Sequence, residues 1–100
     1  MSVRIPFDRA ELSAFCAKHH IARLELFGSV LRDDFGPESD VDVLVEFKPG
    51  HTPGLAFARM ERELSGLFAG RRVDLVTRKF LNPRIRYHVV QSAEPVYVAA

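Results

Sequence analysis

The chain is 100 residues long, carries a formal net charge of +1, and has the composition of an ordinary globular protein, with 47% hydrophobic and 27% charged residues. These values predict a single domain over residues 1–100 with a modest core, and no apolar run approaches the roughly 20 residues that a membrane-spanning helix needs. The start of the chain lacks the apolar stretch of a secretory signal, and the only cysteine, Cys16, excludes an internal disulfide. We therefore expect a cytoplasmic protein without a membrane partner.

The first predicted elements are a helix over residues 8–19 and a strand over residues 21–27. Asp8 is a suitable N-cap for the helix, and Glu11 follows it three residues later, as in a capping box. Three residues recur at helical spacing and are expected to face the core; they are Leu12, Phe15 and His19.

A Gly-Ser turn follows the first strand. Gly28 allows the backbone to approach a ligand closely, and Ser29 is placed to cap a brief helix predicted over residues 30–35. The exposed amides at the start of a helix bind anions such as phosphate. The pattern therefore predicts a phosphate site at this turn.

Residues 39–45 predict a second strand, because polar and apolar side chains alternate strictly. Asp40 and Asp42 share one face of this strand, and their Cα atoms are about 6.6 Å apart. Two carboxylates at that spacing can converge on a pair of divalent cations about 3.5–4 Å apart. The alternation alone is better explained by an amphipathic strand with a solvated acidic face. The Gly-Ser turn upstream is the feature that favours a metal site.

The rest of the chain predicts a long helix, a third strand, another helix and a short edge strand; these cover residues 53–69, 71–77, 83–92 and 96–98. Gly70 is placed to end the long helix. In the third strand, Asp74 is an isolated carboxylate that should lie near Asp40 and Asp42. The turn-rich residues 48–54 predict a loop beside the same site.

The C-terminal part of the chain is basic. Residues 1–70 hold eight Lys or Arg against eleven Asp or Glu, whereas residues 71–100 hold six against two. Such a part can contact nucleic acid, an acidic protein or substrate phosphates. A solvated helix face explains it at least as well, with Ile85 on an apolar side turned inward. No aromatic stacking platform accompanies the charges, so direct nucleic-acid binding is not expected.

The pattern G-S-x-x-R followed by S-D-x-D and an apolar tail resembles the signature of the DNA polymerase β-type nucleotidyltransferase superfamily. More narrowly, it is similar to the minimal nucleotidyltransferases (MNT), antitoxins that accompany HEPN-domain toxins. The resemblance covers essentially the whole chain. It implies a single minimal nucleotidyltransferase domain with an α+β fold, in which helices pack mainly on one face of a small mixed sheet of three or four strands.

The same resemblance implies an activity, which is the Mg²⁺-dependent transfer of AMP from ATP to a hydroxyl with release of pyrophosphate. The acceptor would be a tyrosine of a HEPN-domain ribonuclease toxin. The catalytic residues and ligands of two Mg²⁺ ions would be Asp40, Asp42 and Asp74. The nucleotide-binding residues would be Gly28, Ser29, Arg32 and Ser39.

Two functions remain open at this point. The chain is either an adenylyltransferase that modifies the toxin or a non-catalytic antitoxin that binds and masks it. Because all three acidic candidates are present, catalysis is the preferred interpretation. Since no further domain that would grip an acceptor is predicted, we expect a hetero-oligomer in which the toxin presents the hydroxyl.

Overall fold

A computed structural model describes residues 6–31, 36, 39–51 and 53–99. The helices and strands are α1 (Arg9–Lys18), β1 (Ile21–Phe27), β2 (Val41–Phe47), α2 (Phe57–Leu67), β3 (Val73–Val76), α3 (Pro83–Ser92) and β4 (Glu94–Val98). Three short 3-10 turns cover Gly28–Leu31, Gly54–Ala56 and Arg78–Phe80. Among these described elements, no helix is both long and apolar enough to cross a membrane.

The four strands form one mixed sheet in the order β3-β2-β1-β4. β1 is antiparallel to both of its neighbours, β2 and β4, whereas β2 and β3 are parallel. The predicted α+β fold with a small mixed sheet is therefore confirmed. Because β3 and β4 are the two edges, the segment that joins them, which contains α3, has to cross the sheet.

The hydrophobic core lies on one face of the sheet, where α1 and α2 pack. The alternation in β2 turns Val41, Val43 and Val45 toward this core, and each is at most 2% exposed. The two helices contribute Leu12, Phe15, Cys16, Met60 and Leu64. Burial raises the pKa of the Cys16 thiol to about 12, so this cysteine is a packing residue without thiolate chemistry at neutral pH.

Helix α1 is capped as predicted and is tied to α2 at its other end. The Oδ1 atom of Asp8 accepts a hydrogen bond from the Glu11 N–H at 3.0 Å. Lys18 Nζ and His19 Nε2 lie 3.0 and 3.1 Å from the Glu63 carboxylate of α2. Lys18 lowers the pKa of Glu63, so the stability from this contact is present above the ordinary glutamate pKa and is lost as the pH falls through the lowered one. A pair this exposed contributes little.

Strand β2 begins at Val41, two residues later than predicted. The backbone before it forms a turn, in which the Ser39 N–H donates to the Gly36 carbonyl at 3.1 Å. The Gly36 N–H in turn donates to the Ser39 Oγ atom at 3.1 Å. Asp40 therefore precedes the strand instead of lying within it.

Strand β3 also begins two residues later than predicted, at Val73. The reason is that Arg71 belongs to the end of α2: its N–H donates to the Phe68 carbonyl at 3.1 Å, and its carbonyl accepts from the Ser65 hydroxyl at 2.6 Å. Gly70 also contacts this helix end, since its N–H donates to the Ser65 carbonyl at 2.9 Å. The long helix thus ends at Leu67, earlier than predicted.

The C-terminal elements differ from the prediction in detail. α3 has the predicted bounds, but Ile85 is 49% exposed, so this residue does not belong to a buried side of the helix. β4 begins at Glu94 instead of Val96. Pro95 is tolerated there because β4 is an edge strand, where one side of the backbone needs no ladder partner.

Two leucines allow the position of the core to be tested. Leu64 is fully buried, whereas Leu55 is completely exposed. We expect Leu64→Ala to lower the free energy of unfolding by about 2–5 kcal/mol, because it leaves a cavity between α2 and the sheet. The matched control Leu55→Ala should change it by less than about 0.5 kcal/mol. Urea unfolding of both variants checks this, and similar losses at the two positions would contradict the core described here.

Candidate active site

Asp42 and Asp74 stand side by side on adjacent parallel strands. The register of β2 and β3 pairs Val41 with Val73 and, at the next position, Asp42 with Asp74. Both valines are buried in the core, so the two aspartates project from the opposite face of the sheet. Neighbouring strands lie about 4.8 Å apart, a separation at which two carboxylates can share a ligand. The prediction that Asp74 lies near Asp42 agrees with this register.

Asp40 lies at the same end of the sheet as this pair. It is exposed and immediately precedes β2. The pairing of β2 with the segment leading into β3 starts at the next residue, where the Val41 N–H donates a hydrogen bond to the Arg72 carbonyl at 2.8 Å. In the part of the chain that the structure describes, no three His, Cys, Asp or Glu side chains are gathered closely enough to form a ready metal site. The fold thus aligns Asp42 with Asp74, and Asp40 as a third ligand stays a prediction.

Gly28 lies directly against Asp42. The pairing of Phe27 with Asp42 across β1 and β2 brings the next residue to the carboxylate. Gly28 has a φ of +76°, in the left-handed region that favours glycine. A Cβ atom added here would overlap the Oδ2 atom of Asp42 and lie 3.3 Å from its Cγ atom. The backbone can therefore approach the carboxylate only because position 28 has no side chain.

The turn at Ser29 differs from the predicted cap. A 3-10 turn begins at Gly28 and includes Ser29, so the serine lies inside the turn and not in front of it. Val30 is completely buried and holds this turn against the core. A turn of four residues lacks the aligned peptide dipoles of a long helix. The remainder of the predicted helix, with the candidate Arg32, lies outside the described residues.

Ser39, the other predicted nucleotide ligand, lies in the turn that leads into Asp40. Its Oγ atom already accepts a hydrogen bond from the Gly36 N–H. A hydroxyl that accepts one bond can still donate its own proton. The guanidinium of Arg71 contacts the same turn, where it donates to the carbonyls of Gly36 and Ser39. From the sequence, Arg71 is expected in the basic C-terminal part and at the start of the third strand, because nothing in the pattern links it to a residue more than 30 positions earlier.

Glu25 is a further carboxylate on the face that carries Asp42, and it is buried. Glu25 of β1 pairs with Leu44 of β2, and both are at most 5% exposed although they lie on the side opposite the main core. The Glu25 Oε2 atom lies 3.3 Å from the Arg23 Nε atom. A buried carboxylate needs such a partner. The alternating pattern of β1 could have indicated Glu25, since it separates two inward-facing leucines.

The loop over residues 48–54 is not beside the aspartates, which corrects the sequence interpretation. Phe27 pairs with Asp42 at one end of the β1–β2 ladder, whereas Ile21 pairs with Phe47 at the other. The loop follows Phe47, so it begins at the far end of β2. There the His51 ring stacks on the His20 ring with 4.0 Å between their centroids.

This arrangement of glycine, serine and aspartates can be compared with known proteins. The family described as the nucleotidyltransferase domain matches residues 10–95. The chain belongs to this nucleotidyltransferase family. The matched range contains the Gly-Ser turn and all three candidate aspartates, so the resemblance found in the sequence is confirmed at the level of the family.

Two relatives have names that state a more specific activity than the family description does. The protein adenylyltransferase MntA of Thermococcus cleftensis is 38% identical over 79 residues, which cover 78% of this chain and 75% of the relative. A Methanocaldococcus jannaschii protein, named provisionally as a protein adenylyltransferase, is 33% identical over 79% of this chain and 83% of its own. These names agree with the predicted nucleotidyltransferase activity.

Solved structures share the fold. One, named provisionally as a minimal nucleotidyltransferase, is 41% identical, covers 87% of each chain and superposes with a TM-score of 0.71. A toxin–antitoxin crystallised with AMP-PNP superposes with a TM-score of 0.72 over 92% of this chain and 74% of its own, at 17% identity. The second likeness shows a common fold alone. Together with the relatives, the first confirms the resemblance to minimal nucleotidyltransferases.

The close approach of Gly28 to Asp42 can be tested against a second glycine. Gly50 has a similar φ of +80°, but a Cβ atom there would meet nothing within 4 Å. We expect Gly50→Ala to cost only the strain of a left-handed alanine, about 1–2 kcal/mol. Gly28→Ala should cost more and should also weaken Mn²⁺ binding, because its methyl group displaces the Asp42 carboxylate. Urea unfolding and Mn²⁺ titration measure the two effects. Equal losses of stability with unchanged Mn²⁺ affinity would contradict the contact.

Proposed function

We propose that this nucleotidyltransferase transfers AMP from ATP to a tyrosine hydroxyl of a HEPN-domain toxin and thereby acts as its antitoxin. The observation that carries the proposal is the register of Asp42 with Asp74 on the face of the sheet opposite the core, with the Gly28 backbone against Asp42. The names of the adenylyltransferase relatives support the reaction. The toxin–antitoxin with AMP-PNP, which shares the fold, is consistent with the assignment of a toxin partner and of ATP.

The donor set fits Mg²⁺, which prefers carboxylate oxygens and retains positions for phosphate oxygens. Asp42 and Asp74 lie abreast on one face, and the exposed Asp40 precedes them at the same end of the sheet. We assign these three residues as the ligands of two Mg²⁺ ions. When bound, the ions supply charge neutralisation at the triphosphate and a lower pKa for the attacking hydroxyl.

The nucleotide would lie at the 3-10 turn Gly28–Leu31, which follows β1. In our assignment, the backbone amides of Gly28 and Ser29 contact the β- and γ-phosphates, next to the Asp42 carboxylate that lies against position 28. The Ser39 hydroxyl, which accepts from Gly36, retains a proton to donate to a phosphate oxygen. Arg32 is assigned to offset phosphate charge.

In the transfer step, the oxygen of the acceptor hydroxyl attacks the α-phosphorus of ATP. A new P–O bond forms, the bond from this phosphorus to the oxygen that bridges to the β-phosphate breaks, and pyrophosphate leaves with the electron pair. The hydroxyl proton passes to a carboxylate. Asp74 suits this role because its side chain is exposed and can be reached by an acceptor on another molecule.

Two acidic residues on the same face of β2 allow the metal site to be tested. We expect Asp42→Asn to reduce AMP transfer by about a hundredfold or more, because several kcal/mol of charge stabilisation depend on a charged ligand. The control Glu46→Gln removes an exposed carboxylate from the same strand and should leave the rate unchanged. Incorporation of labelled AMP into the toxin at saturating Mg²⁺ measures both. An Asp42→Asn protein with the wild-type rate would refute the role of Asp42.

The masking alternative makes a different prediction about stoichiometry. If the chain is an enzyme, substoichiometric amounts with ATP and Mg²⁺ should inactivate the toxin, and removal of this protein should not restore toxicity. If it only masks the toxin, neutralisation needs an equimolar amount, does not depend on ATP and is reversed on separation.

The double variant Asp40→Asn, Asp42→Asn separates the two functions. We expect it to lose substoichiometric inactivation, because the metal ligands that catalysis requires are gone while the fold that binds the toxin remains. Toxin activity assayed after separation, together with the mass of the toxin, provides the measurement. Full neutralisation by the double variant, combined with no ATP dependence in the wild type, would replace catalysis by masking.

A further inference from the structure

Arg71 holds together two segments that are far apart in the sequence. Its guanidinium Nη2 atom donates to the carbonyl of Gly36 and lies 3.2 Å from the carbonyl of Ser39. Both carbonyls belong to the turn that delivers the chain to Asp40 and into β2. Arg71 is half-buried, whereas the adjacent Arg72 is exposed. The two neighbouring arginines therefore have different surroundings despite equal charge.

The backbone of Arg71 is hydrogen-bonded to the end of α2. The carbonyl of Arg71 accepts from the Ser65 hydroxyl at 2.6 Å, and its N–H donates to the Phe68 carbonyl at 3.1 Å. Phe68 is completely buried, and Ser65 lies in the last turn of α2. The guanidinium thus extends from a backbone that is hydrogen-bonded to the end of α2 and packed beside the core.

We propose that Arg71 is a positioning residue for the metal-binding aspartates. By holding the carbonyls of Gly36 and Ser39, it sets the direction in which the chain enters β2, and therefore where Asp40 and the Ser39 hydroxyl lie relative to Asp42. The inference rests on the proposed function of the same site. Groups that hydrogen-bond to a metal ligand typically change metal affinity or activity by about 10–100-fold when they are removed, and Arg71 acts on Asp40 through the carbonyl of the preceding residue, Ser39.

The type of side chain matters for this role. Both carbonyls are contacted by the one Nη2 atom of Arg71, whose N–H bonds lie in the rigid guanidinium plane and therefore have fixed directions. A lysine ammonium carries the same charge without this rigid plane. Direct binding of a phosphate by Arg71 is the competing role, and it predicts weaker nucleotide binding with no change in metal binding by the nucleotide-free protein.

The experiment compares Arg71→Gln, Arg71→Lys and the matched control Arg72→Gln in the full chain without nucleotide. Mn²⁺ affinity is measured by electron paramagnetic resonance, and hydrogen exchange is measured at the Ser39 amide, whose bond to Gly36 closes the turn. We expect Arg71→Gln to weaken Mn²⁺ binding about 10–100-fold and to accelerate exchange at Ser39. Arg71→Lys should show a partial effect, and Arg72→Gln should match the wild type in both measurements.

Two results would overturn the inference about Arg71. If Arg71→Gln binds Mn²⁺ with an affinity within about twofold of the wild type, the metal site does not depend on the guanidinium. If Arg72→Gln loses as much Mn²⁺ affinity as Arg71→Gln, the effect is one of charge alone. If Arg71→Gln does not fold, Arg71→Lys decides by the same two measurements. If the wild-type protein binds Mn²⁺ but transfers no AMP, the proposed function is refuted. The Mn²⁺ affinities and the hydrogen exchange at Ser39 then still decide whether Arg71 positions the metal site.

Discussion

The parallel pairing of β2 with β3 is the constraint on which the candidate site depends. It places Val41 and Val73 together in the core and thereby sets Asp42 beside Asp74 on the other face. A slip of one residue would turn an aspartate into the core, where an unpaired charge is very costly. The outer edge of β3 is held as well, because the Leu75 N–H donates to the Glu61 carboxylate of α2 at 2.8 Å. Hydrophobic packing therefore sets the geometry of the acidic site.

The sheet uses its two faces differently. One face carries the core with α1 and α2, and at one end of the other face the aspartates meet the Gly-Ser turn. Close approach at that end depends on Gly28, because any side chain there would overlap the Asp42 carboxylate. Glu25 and Leu44 are buried farther along the same face. A chain of 100 residues can thus combine a sufficient core with an acidic site on the other face of the sheet.

Much of the fold could be predicted from the sequence, because the signals that mark these elements are local. The Asp8 cap begins α1, the Asn82-Pro83 pair begins α3, and the spacing of apolar residues identifies the side of β2 and β3 that faces the core. The alternation around Asp42 and Asp74 placed both on the face opposite the core, and the register of the strands agrees. The family resemblance depended on a short motif that lies within one turn and one strand.

The sequence by itself determined the order of the long helices and the strands, the face of β2 that is buried in the core, and the family, since each follows from neighbouring residues. Only the tertiary structure decided where β2 begins, which end of it carries the site, and that Arg71 contacts Gly36 and Ser39. These features depend on hydrogen bonds between residues more than 30 positions apart, such as Arg71 to Ser39 and Val41 to Arg72. Periodicity cannot indicate such bonds, because a backbone carbonyl has the same chemistry at every position and its partner is chosen by packing.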